Sequence, residues 1–355
     1  MTFYPIKFNI PKYCLNIFPT FGHDNCKLLV FDKKKKKLYH KNINYLIDHF
    51  KYKDIIIRNN TKVLPCKLTG YKNKSKISLI LLKAIDKSNN IWETLINNAR
   101  KIRIGNTINF FYYNYNNNKQ IISSNILENT SSRGRLIKIL NIDYKTFIKK
   151  LNLIGNLILP KIFNFINLFK NFTYYQNFYA KKEGALFIPT SGIQFSKQFF
   201  LKLKYNFVKI LDITNHFNYY LYNLLNLNDF NKFLYNPEFI HISSYNVHYI
   251  LKALINNSNI CAIGLNTYQT IESCQKFIIN NKHFKGYFNN FIDLPNKNKS
   301  YIINNLLTFF PYPNTYYFHL LADYCGYNNI IHIYNEAIKY KYCLFNYGDL
   351  LFIKI

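Results

Sequence analysis

A change of texture near Cys66 does most to restrict the fold. From about Cys66 to Leu140 the chain is made of short β-rich runs, "KISLILLKAI", "KIRIGNTINFFYYNY", "KQIISSNIL" and "GRLIKIL", parted by Asn, Ser and Gly turns. Regularly spaced short strands with turn signals predict a small β-barrel. On either side the pattern differs. "CKLLVFD", "DIIIR", "VKILDIT", "ICAIG" and "LLFIKI" read as strands, and "KKKKK" (Lys33 to Lys37) as a solvated turn after the first. "NYLIDHF", "DYKTFIKKLNLIG", "SKQFFLKLK", "SSYNVHYILKALINNS", "NTYQTIESCQKFIINN", "TYYFHLLADYCG" and "NIIHIYNEAIKYKY" carry helical spacing. Asp143, Ser196 and Ser243 or Ser244 are N-cap candidates, and Gly155 is a stop. Strands alternating with helices predict an α/β layer domain. At 355 residues the chain exceeds what one core usually spans, so two domains are expected.

Composition bears on partners. Lys and Arg number 47 against 17 Asp and Glu, a net charge of +30. Such a surplus favours polyanions: RNA, DNA or an anionic membrane. The chain is also heavy in Asn, Lys, Ile, Tyr and Phe, the residues of A/T-rich codons, and five of the 47 basic residues are Arg. Genome drift and ligand selection both account for the charge, and the sequence leaves both open. Seven cysteines at 14, 26, 66, 261, 274, 325 and 343 form no C-x-x-C pair, which argues against a zinc ribbon and for reduced thiols. "MTFYPIKFNIPKYC" lacks the apolar core of a signal peptide. The long uncharged run from Ser300 to Ala322 is interrupted by three Asn and two Pro, unlike a spanning helix. A soluble cytoplasmic protein with no membrane partner and no metal is expected, as a monomer.

Phosphate loops (G-x-x-x-x-G-K, G-x-G-x-x-G) and H-E-x-x-H are absent. Four polar turns remain: "RNNTKVLP" from Arg58, "IPTSGIQF" from Ile188, "IGLNTYQTIES" from Ile263, and "FNYGDLLF" from Phe345. The second places Gly192, one of eleven glycines in the chain, in a Pro-Thr-Ser-Gly turn. In the third, a helix is expected to begin near Thr267, where free N–H groups suit an anion. Each alone reads as an ordinary turn; together and in this order they are far more specific.

The ordered blocks "CKLLVFD…LYH", "YKDIIIRNNTKVLPCKLTG", "YYQNFYAKKEGALFIPTSGIQF", "ICAIGLNTYQTIES" and "YCLFNYGDLLFI" resemble, nearly end to end, the S-adenosylmethionine:tRNA ribosyltransferase-isomerase family of queuosine biosynthesis. The resemblance implies transfer and isomerisation of the ribosyl group of S-adenosylmethionine onto 7-aminomethyl-7-deazaguanine at the wobble position of a tRNA, giving epoxyqueuosine. It implies a discontinuous α/β main domain, residues 1–64 and 150–355, with an inserted small β-barrel domain, residues 65–149. Asn59, Thr61, Val63, Pro65 and Leu68 match the family pattern, with Asn60 for its Asp and Lys62 and Lys67 for its Arg. Gly184, Pro189, Thr190, Gly192 and Phe195 match, with Gln194 for a His. His216 and Glu238 fall on a family His and Glu. Gly264, Thr270, Glu272 and Ser273 match, with Gln269 for an Arg. Tyr347, Gly348 and Asp349 are intact.

The carried-over expectation is therefore His216 and Glu238 as catalytic groups. Asn59, Thr61, Thr190, Gly192, Gln194, Gly264, Thr267, Glu272, Tyr347 and Asp349 are expected at cofactor and base, and Lys62 and Lys67 at the tRNA. Thr61, Thr190, His216, Glu238, Thr267 and Asp349 are expected to line one cleft. Fold-determining residues are kept and substrate-facing polar ones are often replaced. Hence the alternative: a catalytically weakened RNA-binding remnant of the same fold.

Overall fold

The computed structural model describes residues 8, 10–14, 24–97, 99, 102–113, 116–130, 134–158, 175–217, 237–290, 292, 301–345 and 348–355. The chain divides into two compact units, one of residues 1–62, 173–182 and 188–355, the other of 63–172 and 183–187. The first is α/β and the second a closed β-barrel.

The α/β unit is organised by one nine-stranded sheet. In spatial order its strands are Phe284–Phe288, Glu238–Ile242, Lys209–His216, Ile55–Asn59, Ile260–Ile263, Asn305–Phe309, Leu350–Lys354, Lys27–Asp32 and Lys37–Asn42. The central four, from Lys209–His216 to Asn305–Phe309, run parallel. Leu350–Lys354 turns back antiparallel beside Asn305–Phe309, pairing Leu350 with Phe309. The carboxyl ends of the central strands and the amino ends of Leu350–Lys354 and Lys27–Asp32 therefore share one edge.

Both faces of this sheet are covered, which is why its central strands are unbroken apolar runs. Successive side chains alternate between two cores. Leu29, Phe31, Ile55, Ile57, Leu211 and Ile213 enter one, against the helices Ser244–Ile255, Leu265–Ser273, Tyr316–Cys325 and Tyr327–Lys339. Leu28, Val30, Ile56, Cys261, Leu307 and Phe352 enter the other, against Tyr45–His49 and Lys197–Tyr205. The Ser196 hydroxyl accepts from the Phe199 amide at 3.0 Å and Ser243 from Asn246 at 3.2 Å, as their positions before apolar runs predict. All seven cysteines are free thiols. Among the described residues no helix is long and apolar enough to cross a membrane.

In the barrel, Lys67–Lys72, Ser75–Asp86, Ile91–Ile96, Arg135–Ile139, Lys119–Asn129 and Thr107–Tyr113 pair in that order, and Tyr71 opposite Asn109 closes the ring. A Cβ on Gly70 would lie 2.6 Å from Ile108 and 2.8 Å from Phe110, so only glycine fits there. The helix Tyr144–Ile154, capped by Asp143 at 3.0 Å from the Thr146 amide, packs within this unit and stacks Tyr144 on Trp92. It runs unbroken through the boundary expected at 149/150. Its apolar face, Phe147, Ile148, Leu151 and Ile154, is the physical reason the barrel unit extends beyond that point. Residues 183–187 also belong to this unit, with the Leu64 amide donating to the Ala185 carbonyl at 2.9 Å.

Candidate active site

Ligands in open α/β sheets bind beyond the carboxyl ends of parallel strands, because chain reversals there leave backbone groups and polar side chains without sheet partners. On that edge the strand Ile55–Asn59 ends in Asn59 and passes through Asn60 into Thr61, the first residue of the short strand Thr61–Val63, and Lys209–His216 ends in Thr214, Asn215 and His216. All but His216 are buried, and His216 is half-buried. Asn59 ties the two strand ends together. Its Oδ1 accepts from the amides of Thr61 (3.1 Å) and Asn215 (3.0 Å), and its Nδ2 donates to the Asn215 carbonyl (2.9 Å) and to Asn266 Oδ1 (3.1 Å). The Thr61 hydroxyl lies 2.6 Å from His216 Nδ1, and the imidazole stacks on Phe239 with ring centres 5.3 Å apart.

Beside this pair sits a buried carboxylate. Glu238 Oε2 accepts from Asn215 Nδ2 at 2.9 Å and from Asn290 Nδ2 at 2.6 Å. Asn215 Nδ2 also donates to Thr270 Oγ1 at 2.8 Å, and Ser273 donates to Asn290 Oδ1 at 2.6 Å. Gln269 donates from Nε2 to the Asn290 carbonyl. The result is one connected network of amides and hydroxyls around Glu238. A network held by side chains fixes its carboxylate in place.

The helix after Ile260–Ile263 starts at Leu265, two residues before the expected Thr267. Gly264 takes the N-cap position at φ 91, and a Cβ there would sit 3.4 Å from the Ser191 hydroxyl. Thr267 is consequently inside the helix. Its hydroxyl donates to the Ile263 carbonyl at 2.7 Å, a bond back along its own turn.

The Pro-Thr-Ser-Gly turn, Thr190–Gly192, is seated on the same edge. Ser191 Oγ accepts from the Phe309 amide at 3.4 Å, and Gln194 Nε2 donates to the Gly348 carbonyl at 3.0 Å. A Cβ on Gly192 would lie 1.9 Å from the Tyr179 hydroxyl and 2.7 Å from Asn177 Nδ2, so this glycine makes room for protein. Tyr179 is itself held by Arg58, whose guanidinium lies 4.1 Å from that ring and 4.4 Å from Phe200 while Nε donates to Asp212 at 2.7 Å.

Two of the expected acids serve backbone. Asp349 accepts from the amides of Lys27 and Cys343, each at 2.8 Å, and burial pushes its carboxyl above the usual range. Glu272 accepts from Ile302 (3.3 Å) and Ile303 (2.8 Å), and burial pushes it up to about 7.

A family model described as queuosine biosynthesis protein matches residues 4–353. The chain belongs to this queuosine biosynthesis family. Relatives named S-adenosylmethionine:tRNA ribosyltransferase-isomerase from Flavobacterium psychrophilum and Cytophaga hutchinsonii are each 30% identical over 350 residues, covering 98% of this chain and 98% of the relative. The crystal structure of an S-adenosylmethionine tRNA ribosyltransferase from Thermotoga maritima is 19% identical, with a TM-score of 0.52 over 98% of both chains. At that identity the likeness shows the fold.

Of the residues carried over from the family, the structure joins Asn59, Thr61, His216 and Glu238 in one polar network. Thr190, Gly192, Gln194 and Gly264 lie at the turn seat further along the edge, and Asp349 and Glu272 at backbone anchors. Lys62 is half-buried in the α/β unit, and Lys67 is exposed on the barrel unit. Tyr347 lies outside the described residues. Sequence reasoning missed Asn215, Asn266 and Asn290, because asparagine is so common in this chain that one more carries no signal.

Proposed function

We propose that this chain transfers and isomerises the ribosyl group of S-adenosylmethionine onto 7-aminomethyl-7-deazaguanine at the wobble position of a tRNA, releasing adenine and methionine and leaving epoxyqueuosine. It is an enzyme of the transferase and isomerase class in queuosine biosynthesis. The observation that carries the site assignment is the Thr61–His216 pair beside the amide-held Glu238, at the edge where α/β sheets bind ligands.

The chemistry fits those groups. A sulfonium acidifies the neighbouring ribose carbon, so a positioned base starts the reaction by taking a proton there. For His216 to be that base at Nε2, its Nδ1–H must donate to Thr61 Oγ1, an orientation the 2.6 Å contact permits. Glu238 holds the acceptor's ammonium and takes its proton before the amine attacks. Asn215 and Asn290 keep the carboxylate in position throughout. The tRNA is bound through its phosphates, with Lys62 and Lys67 among the contacts. The protein works as a cytoplasmic monomer.

The test is incubation of the purified chain with S-adenosylmethionine and a tRNA bearing the aminomethyl-deazaguanine. Adenine release and an epoxyqueuosine nucleoside by mass spectrometry are expected. A well-folded protein that binds the tRNA but releases no adenine would reject catalysis in favour of an RNA-binding remnant.

A further inference from the structure

Five strand positions along the sheet from Ile55–Asn59, the strand Lys37–Asn42 ends the sheet among the described residues. At the usual spacing of about 4.8 Å per strand that is about 24 Å from the Thr61–His216 pair. A groove of about 820 Å³ wraps this end strand, lined by Lys27, His40, Lys41, Tyr45, Tyr340 and Tyr342. Its strand residues lie near the same sheet edge as the candidate active site, since His40 and Lys41 pair with Leu29 and Leu28 near the start of Lys27–Asp32.

The groove is both basic and aromatic. Lys41 is exposed, with its ammonium 5.8 Å from the Tyr45 ring centre. Lys27 donates to the carbonyls of Tyr340 (3.4 Å) and Lys341 (3.2 Å) and lies 5.3 Å from the Tyr342 ring. Tyr340 is 47% exposed, its ring backed by His40 at 4.1 Å and by the Lys339 ammonium at 5.3 Å. Three acids adjoin: Asp48 lines the groove, Glu336 contacts His40 Nε2 at 3.3 Å, and Asp349 accepts from the Lys27 amide at 2.8 Å. Against them stand Lys27, Lys41, Lys339 and Lys341, so the local balance is positive.

An exposed tyrosine, Tyr340, beside the half-buried Tyr45 and set among lysines suits unpaired nucleotides, whose bases stack while their phosphates meet the ammonium groups. We propose that this groove binds single-stranded nucleotides of the substrate tRNA, several residues from the nucleotide undergoing reaction. The proposal rests on the tRNA reading above and adds a second contact region to it.

The experiment measures Kd for the precursor tRNA against KCl concentration for wild type, Lys41→Gln and Tyr340→Ala, with adenine release at saturating tRNA alongside. Tyr340→Ala is expected to raise Kd at least about fivefold, from lost base stacking. Lys41→Gln is expected to lower the slope of log K against log salt by roughly 0.7, one single-strand phosphate contact. Release at saturation is expected to stay at the wild-type rate in both. Unchanged affinity and slope in both variants, with wild type binding and reacting normally, would overturn the groove and leave the enzyme reading standing. Wild type that neither binds tRNA nor releases adenine would overturn both. Light scattering that finds a dimer dissociated by Lys41→Gln would assign the surface to a second copy and reject RNA.

Discussion

Two buried glutamates of the α/β unit are held in opposite ways. Glu238 is 2% exposed and bonded by side-chain amides of Asn215 and Asn290, which belong to one shared network with Thr270 and Ser273. Glu272 is 8% exposed and bonded by the backbone amides of Ile302 and Ile303. Asp349 follows Glu272, bracketing Lys27 and Cys343. A carboxylate that accepts backbone amides fixes the course of the chain, so losing it costs stability. A carboxylate held by side chains in a polar network at the ligand-binding edge is set up for chemistry, so losing it costs rate. The contrast separates the backbone anchors, Asp349 beside the start of Leu350–Lys354 and Glu272 before the amino end of Asn305–Phe309, from the proposed reaction centre.

The contrast breaks first at the anchors. Gly348→Ala is expected to be the most damaging change, because its Cβ would fall 1.9 Å from the Cys343 carbonyl oxygen, within the loop that Asp349 brackets. Backbone cannot move aside as a side chain can, and a loss of about 3 kcal/mol or more in denaturant unfolding is expected.

Next is the pH dependence of Glu272. Burial raises its carboxyl to about 7, so the neutral form is favoured by folding. Its contribution is present below the ordinary carboxylate range and is lost as pH rises through about 7. Wild type should lose on the order of 2–3 kcal/mol between pH 4.5 and pH 8 from this group. Glu272→Gln should flatten that profile in unfolding scans, and an equally steep profile in the variant would assign the dependence elsewhere.

Gly192→Ala ranks third, at about 2 kcal/mol, since the clash is with the Tyr179 hydroxyl and side chains give way. Adding Tyr179→Phe should recover part of the loss, and failure to recover any would show that the turn is not seated on Tyr179. The smallest effect belongs to Thr61. Thr61→Val keeps volume and removes the hydroxyl 2.6 Å from His216, so about a tenfold fall in kcat for adenine release is expected with little change in unfolding.

Much of this was legible in the sequence because it follows from local chemistry. Asp143 and Ser196 cap where an acceptor precedes an apolar periodic run, and the barrel follows from strand length and turn spacing. His216 and Glu238 were picked out because they fall on a His and a Glu of the family the sequence resembles. The amides that hold Glu238 were not, since they come from 215 and 290, far apart in a chain full of asparagine. The helix expected to begin near Thr267 begins at Leu265, because Gly264 at positive φ takes the N-cap position. Gly192 was legible as a constrained turn, but its occupant, Tyr179, depends on tertiary packing around Arg58.

The central claim is that Glu238 belongs to the reaction and Glu272 to the fold. Its most direct test is the single-turnover rate of adenine release for wild type, Glu238→Gln and Glu272→Gln with the precursor tRNA, corrected for the folded fraction of each. The expected result is a fall of about 10²-fold or more for Glu238→Gln with an unfolding midpoint close to wild type, and a far smaller fall in rate for Glu272→Gln. Equal rates for Glu238→Gln and wild type, or a larger loss in Glu272→Gln, would contradict it.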